Sequence, residues 1–249
     1  MLKKVVLSSA LLVSSLFSGD INIAVAANVS YAIDDLKKEF NKLYPNTNVK
    51  VTLGSSGKLT AQIKNGAPYD LFMAANMKYP QALYKDDLAV TRPLVYAQGS
   101  LAYLSKKALN FSKGIELVKD KSFRKIAIAN PKTAPYGTAS VEAMKNAKVY
   151  KDIEKKLIYA ESISQTVTYA LTAADVGFIA KSSLFSDKMS KYKQGVNWYS
   201  VDTKLYTPIN QGIVLLKKAQ SNNEASAFYS FILSKKAKKI FEEFGYLVP

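Results

Sequence analysis

The chain lacks both cysteine and histidine among its 249 residues. The absence of cysteine excludes disulfides, thiol catalysis, iron–sulfur ligation and zinc sites of the cysteine type, and the absence of histidine removes the common imidazole bases and metal ligands. Most familiar hydrolase mechanisms therefore lack one of the catalytic residues that they need. At this length the chain can form one large α/β unit or two lobes that each bury a core, so folding does not require disulfides.

Apolar runs are too short for a membrane-spanning helix. The run at residues 5–17 follows Lys3 and Lys4 and precedes a small, polar stretch at residues 18–20. This order of a basic, an apolar and a small polar segment is the pattern of a secretory signal peptide. We expect residues 1–19 to be a signal peptide and the mature protein to be periplasmic.

Arginine is scarce, and the formal charge of +16 comes almost entirely from lysine, with arginine only at Arg92 and Arg124. A strongly basic chain can bind nucleic acid. However, arginine is the residue expected for bidentate phosphate and base contacts, and the lysines here are scattered along helices as on a solvated surface. We therefore expect no nucleic-acid partner, although a diffuse positive field would attract a small anion.

Strand-like and helix-like segments alternate along the chain, which favours an α/β architecture with largely parallel sheets. Strands are predicted at residues 21–26, 49–53, 70–75, 125–129, 176–180 and 213–216, and helices at residues 33–43, 58–65, 138–147 and 164–173, with two amphipathic helices at the C-terminal end. Residues 95–99 are predicted to form a turn. A new series of elements begins after this turn, which indicates a second lobe.

Four predicted strand-to-helix junctions carry small and polar residues. They are Ala27-Asn28-Val29-Ser30, Gly54-Ser55-Ser56-Gly57, Ala134-Pro135-Tyr136-Gly137 and Ser162-Ile163-Ser164. Ligands of open α/β sheets bind outside the carboxyl ends of the strands, and a helix N-terminus offers unpaired N–H groups and a positive dipole end. Ordinary caps and turns explain any one junction, but recurrence in both halves of the chain favours a site for a tetrahedral dianion.

Charged side chains form no recognisable catalytic arrangement. Asp70 and Glu161 lie near junctions, but a carboxylate facing a bound dianion would be repelled, so a structural role is favoured. The sequence contains no convincing nucleophile–base constellation and no phosphate-binding Gly-Lys-Ser/Thr loop. We expect a protein that is not an enzyme and has no cofactor or metal-cation site; a secreted enzyme that uses Asp70 or Glu161 stays open as the alternative.

Longer motifs carry a family resemblance. The segments GSSGKLTAQI at residues 54–63, NGAPYDLFMAA at 65–75 and DVGF at 175–178, with the closing stretch at 227–246, resemble the periplasmic molybdate-binding proteins of ABC importers. The resemblance extends from about residue 21 to residue 248. It implies the α/β type II periplasmic-binding fold, in which two α/β lobes enclose a ligand cleft. The expected boundaries are residues 20–97 plus 209–249 for lobe 1 and 98–208 for lobe 2.

The resemblance also implies a molybdate or tungstate ion held by hydroxyls and main-chain amides, without a charged ligand. Carried over by position, Ser56 would donate through its hydroxyl and amide, and Tyr136 and Ile163 through their main-chain amides. Asn28 falls where many relatives have a ligand serine, and its amide can still donate. Ala180 falls where some relatives have a ligand tyrosine, and we hypothesise that the Tyr136 hydroxyl compensates.

The expected partners are the oxyanion and the membrane permease of an ABC importer, and we expect a monomer. Capture in an open cleft followed by hinge closure would sequester the anion from water. A sulfate- or phosphate-binding protein is the nearest alternative, because helix ends alone do not distinguish tetrahedral oxyanions. Cavity size would separate sulfate from molybdate, whereas molybdate and tungstate are nearly isosteric.

Overall fold

The structure is a computed structural model that describes residues 19–249, so the predicted signal peptide lies almost entirely outside the described residues. The strands are β1 (Gly19–Ala26), β2 (Thr47–Gly54), β3 (Leu71–Met73), β4 (Leu94–Gly99), β5 (Leu101–Leu104), β6 (Ile126–Ala129), β7 (Leu157–Ala160), β8 (Val176–Ala180), β9 (Trp198–Ser200) and β10 (Ile209–Leu215). The helices are α1 (Ile33–Asn41), α2 (Ser56–Lys64), α3 (Lys78–Lys85), α4 (Pro135–Asn146), α5 (Tyr150–Ile153), α6 (Ile163–Thr172), α7 (Asn223–Ile232) and α8 (Lys235–Glu243). Short 3-10 turns connect several of them.

The strands form two five-stranded sheets, in the orders β2-β1-β3-β10-β4 and β7-β6-β8-β5-β9. We refer to the first sheet with α1, α2, α3, α7 and α8 as lobe 1, and to the second sheet with α4, α5 and α6 as lobe 2. The two sheets meet along the chain at Ser100, the single residue between β4 and β5. The chain returns to the first sheet with β10. The exact lobe boundaries given above stay a prediction.

The expectation of largely parallel sheets is wrong for half of the strand pairs. Strand β1 pairs in parallel with β2 and β3, and β6 does so with β7 and β8. In contrast, β10 is antiparallel to β3 and β4, and β5 is antiparallel to β8 and β9. The antiparallel pairs arise where the chain passes between the sheets, because the strands there do not follow a βαβ crossover.

The turn predicted at residues 95–99 is also wrong, because these residues belong to strand β4. In the fold, Gly99 is extended and pairs with Ile209, and a Cβ at this position would collide with the hydroxyl of Tyr136. The glycine therefore serves a close approach between the lobes and not a change of chain direction.

Apolar side chains pack on both faces of each sheet. In lobe 1, one face is covered by α1, α7 and α8, where the rings of Phe40 and Phe228 meet edge to face with centroids 4.9 Å apart. Each fully buried phenylalanine contributes about 1.5–3 kcal/mol to stability. Leu43, predicted to continue the apolar face of α1, is 59% exposed because the helix ends at Asn41.

The C-terminal segment brings a tyrosine back toward the junctions. Helix α8 ends before Gly245, whose φ of +72° lies in the left-handed region and which follows the C-cap residue Phe244. The next residue, Tyr246, is buried and reaches Asn28. Within residues 19–249, none of the helices combines the length and the apolar character that crossing a membrane requires.

Candidate functional site

The four predicted junctions meet where the two lobes face each other. Strands β1 and β2 run in parallel with Ala26 opposite Gly54, so their carboxyl ends lie side by side. Strands β6 and β7 do the same in lobe 2, with Ala129 opposite Ala160. Helices α2, α4 and α6 follow β2, β6 and β7, and a five-residue 3-10 turn, Ala27–Tyr31, follows β1.

These junctions line one cavity between the lobes. It has about 190 Å³ of space between protein atoms, part of it open to solvent. The lining residues are Ala26, Ala27, Asn28, Gly54, Ser55, Ser56, Ala75, Ala134, Pro135, Tyr136 and Ile163. The structure thus brings together all four residues that the sequence singled out, and none of the lining side chains is charged.

Ser56 presents a hydroxyl with a free hydrogen. The residue is fully buried at the start of α2, and its Oγ accepts a hydrogen bond from the Ala75 N–H at 2.9 Å. A hydroxyl has one donor hydrogen and two acceptor positions, so this bond leaves the Ser56 hydrogen available. Ser56 can therefore donate to an anion while remaining anchored to the end of β3.

The N-termini of α4 and α6 supply main-chain donors. The first N–H groups of a helix have no partner within the helix. In α6 the Ser162 Oγ accepts from the Gln165 N–H, and in α4 the Ala134 carbonyl accepts from the Gly137 N–H. Within residues 19–249, no acceptor is found for the N–H groups of Tyr136 and Ile163, which line the cavity.

Asn28 belongs to a buried network of polar side chains. Its Nδ2 donates to Gln211 Oε1 at 2.7 Å and to the Tyr246 hydroxyl at 2.9 Å, and its Oδ1 is buried without a partner. Both amide hydrogens are therefore used by the protein in this orientation. Donation to an anion, as predicted from the sequence, requires the Asn28 amide to turn over so that Nδ2 takes the place of Oδ1.

The Tyr136 hydroxyl lies in the same network. It accepts a hydrogen bond from Gln211 Nε2 at 3.3 Å and packs against Gly99. Burial raises the pKa of Tyr136 well above its usual value, so the hydroxyl stays neutral and keeps its hydrogen. That this hydroxyl replaces the donor missing at Ala180 remains a hypothesis.

Direct contacts join the two lobes around the cavity. The Gly57 N–H, at the start of α2, donates to the Thr133 carbonyl of lobe 2 at 2.9 Å. The Ser182 hydroxyl of lobe 2 donates to the Asn28 carbonyl at 3.1 Å. At the surface, Lys58 and Glu161 form an ion pair at 2.6 Å. The lobes therefore enclose the cavity from both sides.

The two carboxylates considered for catalysis have structural partners. Asp70 is buried, and its carboxylate accepts from the Asn22 N–H at 2.6 Å, between the start of β3 and the middle of β1. Glu161 is exposed and pairs with Lys58. Within residues 19–249, no group of three or more aspartates or glutamates is arranged to hold a metal ion.

Sequence reasoning missed Gln211 and Tyr246, which hold Asn28. Gln211 is fully buried in β10, and its Oε1 also accepts from the Tyr96 hydroxyl at 2.9 Å. One signal was available, because the glutamine precedes the apolar run at residues 213–215 in a strand-like segment, and a buried glutamine must find polar partners. No sequence signal identifies those partners, since Gln211 and Asn28 are 183 positions apart.

Comparisons with known proteins identify the family of this chain. Residues 21–247 match the family described as bacterial extracellular solute-binding protein, and the chain belongs to this family. It is thus a binding protein and not an enzyme, and the predicted two-lobed α/β fold is confirmed.

Individual relatives are molybdate-binding proteins. The chain is 33% identical over 246 residues to the molybdate-binding protein ModA of Azotobacter vinelandii, covering 97% of this chain and 95% of that protein. It is 34% identical over 233 residues to ModA of Rhodobacter capsulatus, covering 92% and 89%. The solved structure of the Azotobacter vinelandii periplasmic molybdate-binding protein superposes with a TM-score of 0.84 at 28% identity, covering 92% of this chain and 99% of that one.

Proposed function

We propose that this protein captures molybdate in the cavity between its lobes and delivers it to the membrane permease of an ABC importer, with tungstate as a second ligand of nearly the same size. The observation that carries the proposal is the convergence of unpaired donors on an uncharged cavity: the Ser56 hydroxyl and the N–H groups of Tyr136 and Ile163. The molybdate-binding relatives support the choice of ion.

Donors without charge suffice to hold a dianion. A hydrogen bond to a charged group contributes about 1.5–3 kcal/mol, roughly twice a neutral one. The dipoles of α2, α4 and α6 add a partial positive charge at the same point. The large excess of lysine over acidic residues raises the local concentration of anions before they bind.

Within this proposal the ligand residues are Asn28, Ser56, Tyr136 and Ile163. Ser56 donates through its hydroxyl, Tyr136 and Ile163 donate through the main chain, and Asn28 donates once its amide has turned over. The sulfate- or phosphate-binding alternative has less support, because a mycobacterial sulfate-binding protein shares the fold at only 12% identity, which is evidence about fold and not about ligand.

The cellular setting completes the proposal. Residues 1–19 act as a signal peptide, and the mature protein works as a monomer in the periplasm. Membership in an extracellular solute-binding family supports export. Closure of residues 20–97 plus 209–249 against residues 98–208 would bury the ion and form the surface that the permease recognises.

Isothermal titration of the anion-free mature protein with molybdate, tungstate, sulfate and phosphate tests the proposal. We expect one-to-one binding of molybdate and tungstate and no heat from sulfate or phosphate. A preference for sulfate or phosphate would keep the fold and overturn the ligand. Absence of binding by all four anions would overturn the oxyanion function itself.

A further inference from the structure

Ser55 occupies the N-cap position of α2 without capping the helix. Its backbone is extended, with φ −70° and ψ 144°, as at an ordinary N-cap, yet its side chain makes no capping hydrogen bond. Other serines in this position do cap: Ser162 Oγ accepts from the Gln165 N–H, and Ser234 Oγ accepts from the Ala237 N–H. Ser55 is thus a favoured cap residue whose hydroxyl is not used for capping.

Contact with the other lobe occupies one of the donors that a Ser55 cap could use. An N-cap side chain accepts from the N–H two or three residues later, and for Ser55 these residues are Gly57 and Lys58. The Gly57 N–H instead donates to the Thr133 carbonyl of lobe 2 at 2.9 Å. The Lys58 N–H, which corresponds to the donors Gln165 and Ala237 in the other two caps, is not bonded to the Ser55 side chain either, so the Ser55 hydroxyl has no capping role.

The Ser55 hydroxyl is buried beside the cavity. Ser55 is 4% exposed, its Oγ has no hydrogen-bond partner, and the residue lines the cavity next to Ser56. Buried hydroxyls almost always have partners, because leaving one unpaired costs free energy. A ligand in the cavity is the group that can provide the missing partner.

We propose that Ser55 is a ligand-contacting residue whose hydroxyl donates to the bound oxyanion when the lobes are in contact. The inference rests on the proposed function and adds a donor to it.

The test compares Ser55→Ala with Ser55→Gly by titration with molybdate. Neither variant has a hydroxyl, but glycine is a good N-cap residue and alanine is a poor one. If the hydroxyl contacts the ligand, both variants lose molybdate affinity by about tenfold to a hundredfold, the effect of one hydrogen bond to a charged group. If Ser55 only caps α2, the glycine variant keeps the affinity of the unmodified protein.

Retained affinity in either variant would overturn the inference while leaving the proposed function intact. Failure of the unmodified protein to bind molybdate would overturn both, so the two failures are distinguishable. Thermal unfolding of the ligand-free variants measures separately whether the substitutions destabilise the protein. A loss of affinity in the glycine variant without a fall in the unfolding temperature of the ligand-free protein is the expected result.

Discussion

The polar residues at the cavity divide their hydrogens between the protein and a ligand. The Ser56 hydroxyl accepts a hydrogen bond from the Ala75 N–H, and its own hydrogen remains free to donate. In contrast, Asn28 donates both amide hydrogens, to Gln211 and Tyr246. The chemistry of the site thus depends on which hydrogens remain free. This dependence can be tested one donor at a time.

Deletion of a single main-chain donor is possible at Ile163. Proline is favoured at the first position of a helix, which Ile163 occupies in α6. The preceding Ser162 has φ −138° and ψ 165°, an extended conformation that is compatible with a following proline. We expect Ile163→Pro to bind molybdate about tenfold to a hundredfold more weakly than Ile163→Ala in isothermal titration, because only the proline variant lacks the N–H. Equal affinities of the two variants would show that this N–H does not contact the ligand.

Burial of Tyr246 makes stability depend on alkaline pH. Burial raises the pKa of Tyr246 to about 12 in the folded protein, against about 10 when the chain is unfolded. The unfolded state therefore loses this proton first, and stability falls as the pH rises from 10 to 12, by about 1.4 kcal/mol per unit. Below pH 10 the group has no effect on the pH dependence.

Urea unfolding at pH 8 to 12 checks this expectation. Tyr246→Phe removes the titrating group together with its hydrogen bonds to Asn28, so the variant is less stable at pH 8. The stability difference between the unmodified protein and the variant should shrink above pH 10. A difference that stays constant to pH 12 would contradict the role assigned to burial.

Among the secondary-structure elements, α2 has a glycine near each end with a different role. A Cβ at Gly57 would lie 2.8 Å from the Tyr79 hydroxyl oxygen and 3.0 Å from the Thr133 carbonyl oxygen of lobe 2. Gly66, beyond the other end, has φ +83° and open space around it. One glycine permits contact between the lobes, and the other permits the chain to leave the helix.

The same substitution at both glycines separates these roles. We expect Gly57→Ala to lower molybdate affinity in titration by at least tenfold, because the methyl group holds the lobes apart. Gly66→Ala should lower the free energy of unfolding by about 1 kcal/mol or more, since its left-handed backbone strains an alanine, and should leave the affinity unchanged. Equal affinities of Gly57→Ala and Gly66→Ala would mean that contact at Thr133 is not needed for binding.

Helices and strands were predictable from sequence where the apolar periodicity and the residues that end helices or strands indicated the same boundaries. Helix α1 shows the limit, because Leu43 continues the pattern one turn beyond the end of the helix. Strand β4 was missed because residues 95–99 were predicted to form a turn. The Ser56 prediction came from a local motif, but the hydrogen bond of the Gly57 N–H reaches Thr133, far away in sequence and in the other lobe. Local patterns do not contain such contacts.

At the scale of the whole molecule, the lobes are joined by buried polar contacts and by an ion pair at the surface. The Lys58–Glu161 pair measures 2.6 Å, but its side chains are 50% and 62% exposed. Exposed ion pairs contribute little because water and salt screen them. The buried contacts among Asn28, Gln211 and Tyr136 are not screened in this way.

Removal of the ion pair should therefore have a small effect. We expect Glu161→Gln to change molybdate affinity by less than about threefold. The ratio of the variant's affinity to that of the unmodified protein should approach one at 0.5 M sodium chloride. Titration at low and high salt measures both quantities. A tenfold loss that persists at high salt would indicate that Glu161 has a role other than a surface ion pair.

The position of β10 between β3 and β4 determines the order in which the two sheets can form while the chain is synthesised. The second sheet uses residues 101–200 only, so all of its strands are present once that continuous stretch has been synthesised. Strand β4 lies at the end of the sheet beside β10, and its Gln98 also bridges to Leu247 near the C-terminus. The pair of Gly99 with Ile209 spans 110 positions. The first sheet must wait for the last fifth of the polypeptide, and until then β3 and β4 present open edges to which other chains can attach.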